Sequence, residues 1–396
     1  MRILLVHNFY RQPGGEDTVV YAEKAQLEAS GHQVYPYFIY NDSIKSISDK
    51  LKTFMNVTYN VKSKSILANI IKTFQPDLMH VHNFFPLLSP SIFDAAQEAG
   101  IPSLLTLHNF RILCPTATLY HNGRIQERSL TGASWWTVWQ RTYRNSLFGT
   151  LAVARMVEYH KKRGTWRTQV DRFIALTPFA QARFVLGGLP VERIVIKPNG
   201  APSPILPAPA DEVQPRAGVL FVGRLCEEKG ILPLVRLWRD LGVTLTVVGD
   251  GPLRPHLLAE AGPDVRLLGQ LDAAGVQDEM RKAALLILPS LYYEMLPLVL
   301  IEALAEGLPV VASRLGAIPD IIEDGITGLL FDPFDPADSV RTVRQALADP
   351  ERLDAMGRAA RAAYQCRYTA DANQVALLEI YRDVLATHRQ GLDSRP

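Results

Sequence analysis

The feature that most constrains this chain is a rhythm of short, almost wholly apolar runs separated by amphipathic stretches, repeated through both halves. In the first half the runs are Ile3–His7, Val34–Ile39, Leu78–His82, Ser103–Leu107 and Arg172–Leu176. Helix-like stretches, Glu16–Ala29, Ser63–Phe74 and Ser91–Ala99, lie between them. The second half repeats the theme with Gly218–Val222, Thr244–Val248, Val265–Leu268, Leu285–Leu288, Pro309–Ala312 and Gly328–Phe331. Strands apolar on both faces must be covered on both faces, and parallel pairing requires a crossover between successive strands. The expected fold is therefore α/β, two Rossmann-like, doubly wound parallel-sheet lobes. A length of 396 residues suits two domains with a core each.

The division between lobes falls in residues 200–218, where five prolines and no apolar periodicity predict a semi-rigid connector. The first lobe is expected to run over 1–202 and the second over 203–369, with a helical segment Ala370–Thr387 following and polar, frayed residues from about 388. No run of about 18 or more apolar residues is present, so no membrane span is expected. The first apolar run is too short for the core of a signal peptide. Three cysteines, Cys114, Cys226 and Cys366, are too few and too scattered for a disulfide framework or a zinc site. The expected compartment is the cytosol.

A formal charge of +2 hides an asymmetry. Residues 1–200 hold 23 Lys/Arg against 13 Asp/Glu, a net of +10, whereas the remainder hold 19 against 27, a net of −8. A basic half beside an acidic one implies that the first lobe meets something anionic.

Several motifs fall where such a fold puts its ligands, at the C-terminal ends of strands. Glu294 and Glu302 are separated by seven residues after the run Leu285–Leu288. Pro297 suits the start of a helix, which leaves Glu294 in the preceding loop and Glu302 on the helix. Glu302 lies in an otherwise apolar stretch and so needs a partner, for which sugar hydroxyls are suitable. Arg224 and Lys229, flanked by Gly223 and Gly230, form a loop able to wrap a diphosphate, with a planar fork and a compact charge. Val248-Gly-Asp-Gly-Pro-Leu253 is a further strand-to-helix turn. In the first lobe Gly14 and Gly15 permit close backbone approach to a ligand and tolerate positive φ. They do not form the glycine fingerprint of NAD-binding proteins. His108 ends the run Leu104–Leu107 and points into the crevice, followed by Asn109 and Arg111. His80 and His82 alternate on one strand, but no third ligand falls at metal-binding spacing, so no metal is expected.

These motifs, in this order, resemble the retaining glycosyltransferases of family 4, the bacterial group 1 type of surface-polysaccharide synthesis. The resemblance runs from residue 1 to about 385. It implies the GT-B fold, two Rossmann-like lobes facing across a cleft, with the final helix (370–396) crossing back to the first lobe. It implies that Glu294 contacts the donor sugar and Glu302 the nucleotide ribose, with Leu296, Pro297 and Leu298 beside them. Arg224 and Lys229 would neutralise the departing diphosphate, and the Gly14-Gly15 loop and His108 would act from the first lobe. Acceptor-side candidates are His82, Asn109 and Arg111. No cofactor is implied beyond a UDP- or GDP-sugar co-substrate. The family commonly has Gly-Phe or Gly-Trp-Gly after the first Glu; here Met295-Leu296 stands instead, so the sugar pocket is shaped differently.

Residues 116–170 exceed an ordinary strand connection and hold four of the five tryptophans, interleaved with Arg and Lys. That mixture suits an anionic membrane interface or a lipid-linked diphosphate acceptor, and equally a helical excursion packed on its lobe. No nucleic-acid module accompanies it. Two other functions share these features: a GT-B enzyme of different chemistry, such as a nucleotide-sugar epimerase or a phosphorylase, and an inactive sugar-binding relative. The charges at all four donor positions favour transfer.

Overall fold

The computed structural model describes residues 1–11, 14–201 and 216–393. Most of the expected interlobe connector lies outside the described residues. The chain divides into two compact units, one comprising Met1–His121, Gln126–Pro198 and Gln374–Pro396, the other Asn122–Ile125 and Asn199–Asn373.

Six parallel strands form the sheet of the first unit: β1 (Arg2–Phe9), β2 (Gln33–Tyr40), β3 (Leu78–Val81), β4 (Ser103–Leu107), β5 (Arg172–Ala175) and β6 (Ile194–Ile196). Their order is β2-β1-β3-β4-β5-β6. Five were legible as apolar runs; β6, three residues long behind a charged turn, was not. The strands β1, β3 and β4 carry almost no exposed side chain because helices cover both faces. One of these is the C-terminal helix Ala370–Asp393, whose Leu377, Tyr381 and Val384 pack on Ile3, Leu78, Leu104 and Ile174. Each such fully buried aliphatic side chain contributes about 1.5–3 kcal/mol.

The second unit repeats the design with β7 (Val219–Val222), β8 (Leu245–Val248), β9 (Val265–Gly269), β10 (Leu285–Leu288), β11 (Val310–Ser313) and β12 (Gly328–Phe331), all parallel, in the order β9-β8-β7-β10-β11-β12. In both sheets the strand order reverses beside the first strand, between β1 and β3 and between β7 and β10. At such a reversal the following connections leave toward opposite faces and open a crevice at the strands' C-terminal ends.

Candidate functional site

The second unit's reversal gathers the expected donor residues. The loop after β7 carries Arg224 and Lys229, and the loop after β10 carries Glu294. These strands are neighbours, pairing Leu285 with Val219 and Leu286 with Leu220. The two loops are tied by a hydrogen bond from Leu291 N–H to the Glu228 carbonyl, 2.8 Å. Gly230 makes the closure possible. Its φ is +68°, and a Cβ there would stand 2.0 Å from the Pro289 carbonyl oxygen. Gly249 does the same for the turn after β8, where a Cβ would meet the Gly223 carbonyl oxygen at 1.9 Å.

The result is a short chain of contacts. Lys229 Nζ donates to Glu294 Oε1 at 2.6 Å, Ser290 Oγ donates to the same oxygen at 2.7 Å, and Tyr292 OH donates to Oε2 at 2.6 Å. Glu294 is only 5% exposed, and three donors satisfy its carboxylate. Burial and then the Glu294 charge hold the Tyr292 phenol well above its ordinary pKa. The Lys229 ammonium also lies 5.4 Å from the Tyr292 ring centroid. Ser290 and Tyr292 had no signal of their own in the sequence, where this stretch reads as a plain loop.

Glu302 is on the helix Leu298–Ala305, one turn inward, and half-buried. Its carboxylate has no partner among the described residues, and burial raises its pKa. Pro297 stands at the N-cap position of this helix, and Leu296 before it is buried. Arg224 is the exposed member, its guanidinium 3.2 Å from Glu228. It makes no contact with Glu294 among the described residues.

In the first unit the picture departs from expectation at several points. Gly14 has an extended backbone, φ −130°, and a Cβ on it would meet nothing, so positive φ is not the reason for this glycine. Its N–H is taken by Asp17 Oδ2, 2.8 Å away, as the helix Gly15–Ala29 begins. Glu16, beside Asp17, is pushed up to about 8 by burial and then by that neighbour's charge. Arg111 stacks on Phe85 and Tyr143 at 4.7 and 5.2 Å and donates to the Pro115 carbonyl. Asn109 Oδ1 accepts from the Arg111 N–H at 3.0 Å, holding the turn after β4.

The histidines cluster. His82 is buried, with Nδ1 3.0 Å from His108 Nε2 and Nε2 3.2 Å from Glu23 Oε2. The expectation that no third ligand joins His80 and His82 is corrected here: Glu23, from the helix Gly15–Ala29, stands close to both. A helical residue far away in sequence gave no spacing cue. These groups already have partners, however. His80 is held at both nitrogens, by Tyr381 OH at 2.7 Å and Thr106 Oγ1 at 2.8 Å, and Lys197 Nζ occupies Glu23 at 2.9 Å.

The region 116–170 forms four helices, Arg128–Thr131, Trp136–Trp139, Leu147–Arg163 and Thr165–Thr168. Its aromatics divide. Trp166 is core, stacked on Phe84, while Trp139 and Phe148 are 83% and 70% exposed. No helix among the described residues is long and apolar enough to cross a membrane.

Comparison with known proteins follows this division of the chain. Residues 13–202 match the model of Glycosyltransferase Family 4, and residues 216–349 match that of Glycosyl transferases group 1. The GDP-mannose-dependent alpha-mannosyltransferase of Corynebacterium glutamicum is 27% identical over 81% of this chain and 70% of its own length. The glycogen synthase of Mycobacterium tuberculosis is 32% identical over 45% of this chain and 46% of its own, so the chain spans about half the length of such relatives. Among solved structures, sucrose-phosphate synthase from Thermosynechococcus elongatus has a TM-score of 0.73 at 21% identity, covering 98% of this chain and 99% of that one. Anabaena HepE, solved with UDP, has a TM-score of 0.68 at 17% identity, covering 97% and 100%. Both show the fold, and it is GT-B. Together the two matches cover most of the chain, and each is to a glycosyltransferase family, Glycosyltransferase Family 4 in the first half and Glycosyl transferases group 1 in the second.

Proposed function

We propose that this chain is a retaining glycosyltransferase that moves a hexose-type sugar from a UDP- or GDP-sugar to an acceptor hydroxyl. The acceptor fits a lipid-linked or glycan substrate of bacterial surface-polysaccharide synthesis. The observation that carries the reading is the Lys229–Glu294 pair at the strand-order reversal, with Arg224 exposed on the same loop as Lys229. Lys229 and Arg224 supply the positive charge a departing diphosphate needs, and they act most strongly where negative charge grows in the transition state. Glu294, fixed by Ser290 and Tyr292, is oriented to accept from sugar hydroxyls, and Glu302 offers an unpartnered carboxylate for the ribose.

In the step itself the bond from the anomeric carbon to the phosphate oxygen breaks, and the acceptor oxygen bonds to that carbon on the same face. The acceptor's proton passes to the leaving phosphate oxygen, so no protein nucleophile is required. An epimerase or phosphorylase would make no new glycoside of this kind, and an inactive relative would bind a donor without turnover.

A melting-temperature panel against UDP, GDP, ADP and their sugar conjugates tests the donor class. A ligand at about 100 times its Kd adds about 2.7 kcal/mol to the folded state. The Corynebacterium relative is named for GDP-mannose and HepE was solved with UDP, so those two nucleotide families are expected to shift the melt. No shift with any nucleotide in folded protein overturns the reading.

The first unit is also proposed to touch an anionic membrane. The exposed Trp139 and Phe148 stand in a segment rich in Arg and Lys, and the helix Ile47–Asn56 exposes Ile47, Leu51 and Met55 beside Lys50 and Lys52. Co-sedimentation with phosphatidylglycerol vesicles, but not with phosphatidylcholine vesicles, is the expected result. Equal recovery with both would remove it.

A further inference from the structure

We propose that Lys197, Glu23 and His82 form a buried chain of charged and polar contacts that fixes the tautomer of His108, so that His108 presents a bare Nδ1 as an acceptor for a substrate hydroxyl. This rests on the transferase reading above and on the role in it that the family resemblance implies for His108, and it assigns positioning roles to residues that touch no substrate.

Lys197 and Glu23 are 1% and 3% exposed and 2.9 Å apart. A lone buried charge is costly, and each of these is the other's counter-charge. Burial alone would raise the Glu23 carboxyl, but the Lys197 ammonium carries it well below the ordinary range. A permanent carboxylate 3.2 Å from His82 Nε2 repels a lone pair and attracts a proton there, so Nε2 carries the hydrogen. His82 Nδ1 is then a lone pair, and it faces His108 Nε2 at 3.0 Å. The nitrogen opposite must donate, which places the His108 proton on Nε2 and leaves Nδ1 bare. That Nδ1 has no partner among the described residues.

His108 is kept neutral by its surroundings. Burial above all holds it well below its usual value. The other groups nearby are accounted for. His7 is paired with Asp17 at 2.8 Å, and His80, whose ring centroid is 4.3 Å from that of His82, is held by Tyr381 and Thr106. Neither offers His82 a competing partner. A neutral imidazole of fixed tautomer is an acceptor in one direction only, which is what a hydroxyl donor requires. In serine proteases, loss of the carboxylate that sets a histidine's tautomer leaves the geometry intact and still removes most of the rate.

The tautomer can be read directly, without substrate, from long-range proton–nitrogen correlation spectra of isotope-labelled protein near neutral pH. The wild type is expected to show His108 protonated at Nε2 and bare at Nδ1. A His108 protonated at Nδ1, or at both nitrogens, overturns the proposal whatever any variant does. The second arm is Glu23→Gln combined with Lys197→Met, which removes both buried charges together and leaves neither unpaired. In that variant His108 is expected to become a mixture of tautomers. Its kcat with the identified donor should fall about tenfold, the worth of one hydrogen bond made in the transition state, with KM little changed. An unchanged tautomer in the folded double variant contradicts the proposal. Failure of the wild type to turn over any nucleotide sugar would sink the transferase reading instead, and the nitrogen spectrum still tests the tautomer.

Discussion

Lys229 Nζ lies 2.6 Å from Glu294 Oε1, joining the loops after two neighbouring strands through side chains 65 residues apart in sequence. The two residues were expected to serve different parts of one donor, diphosphate and sugar. In the structure they are also each other's counter-charge, with side chains 13% and 7% exposed. Removing either alone strands the other in a poorly hydrated place. Lys229→Met and Glu294→Gln should therefore each destabilise the protein. The double variant should be more stable than the sum of the two losses allows, by about 1–3 kcal/mol. Urea unfolding of all four proteins measures this coupling, and strict additivity would show that the pair contributes nothing to the fold.

The loop geometry predicts a contrast between two glycines. Gly230 and Gly242 both have positive φ, +68° and +64°, but a Cβ at Gly230 meets the Pro289 carbonyl oxygen whereas one at Gly242 meets nothing. Gly242→Ala should cost only the left-handed conformation, about 1–2 kcal/mol. Gly230→Ala should cost clearly more and should also weaken nucleotide binding, because the Lys229 loop can no longer close on the Pro289 loop. Melting temperatures of the two variants compare them directly.

Acid stability follows from His160. It is fully buried, with Nε2 2.7 Å from the Thr58 carbonyl and Nδ1 2.8 Å from Thr165 Oγ1, and burial lowers its pKa to about 4. The unfolded chain protonates this histidine near its ordinary value, about 6.5, well before the folded protein does. The unfolded state thus binds more protons between these values. The stability from a neutral His160 is complete above about 6.5 and is lost as pH falls toward 4, a loss of roughly 3 kcal/mol. His160→Gln should flatten this part of the stability–pH curve measured by denaturant unfolding. A variant curve parallel to wild type would show that other groups set it.

Much of the fold was legible in the sequence because parallel strands buried on both faces are continuous apolar runs, as in Leu285–Leu288. The strand Ile194–Ile196 escaped because three residues carry no period. The donor loops were legible for a different reason. Arg224, Lys229, Glu294 and Glu302 are charged residues at strand ends or in apolar surroundings, where charge needs a purpose. What stayed hidden was the support around them. Ser290 and Tyr292 look like ordinary loop residues until the chain folds them against Glu294. Glu23 and Lys197, 174 residues apart, meet only through the tertiary structure. A helical glutamate and a strand-end lysine both read as surface residues, since such charges are almost always solvated.

Calorimetric titration of wild type, Lys229→Ala and Glu294→Gln with the nucleotide selected by the melting panel, free and as its sugar conjugate, tests the donor site most directly. Lys229→Ala is expected to lose at least about tenfold in affinity for both ligands, because a charge-assisted contact to the diphosphate is gone. Glu294→Gln is expected to bind the free nucleotide diphosphate as wild type does and to lose only the added affinity for the sugar conjugate. If both variants remain folded and bind both ligands with wild-type affinity, the Lys229–Glu294 pair is not the donor site.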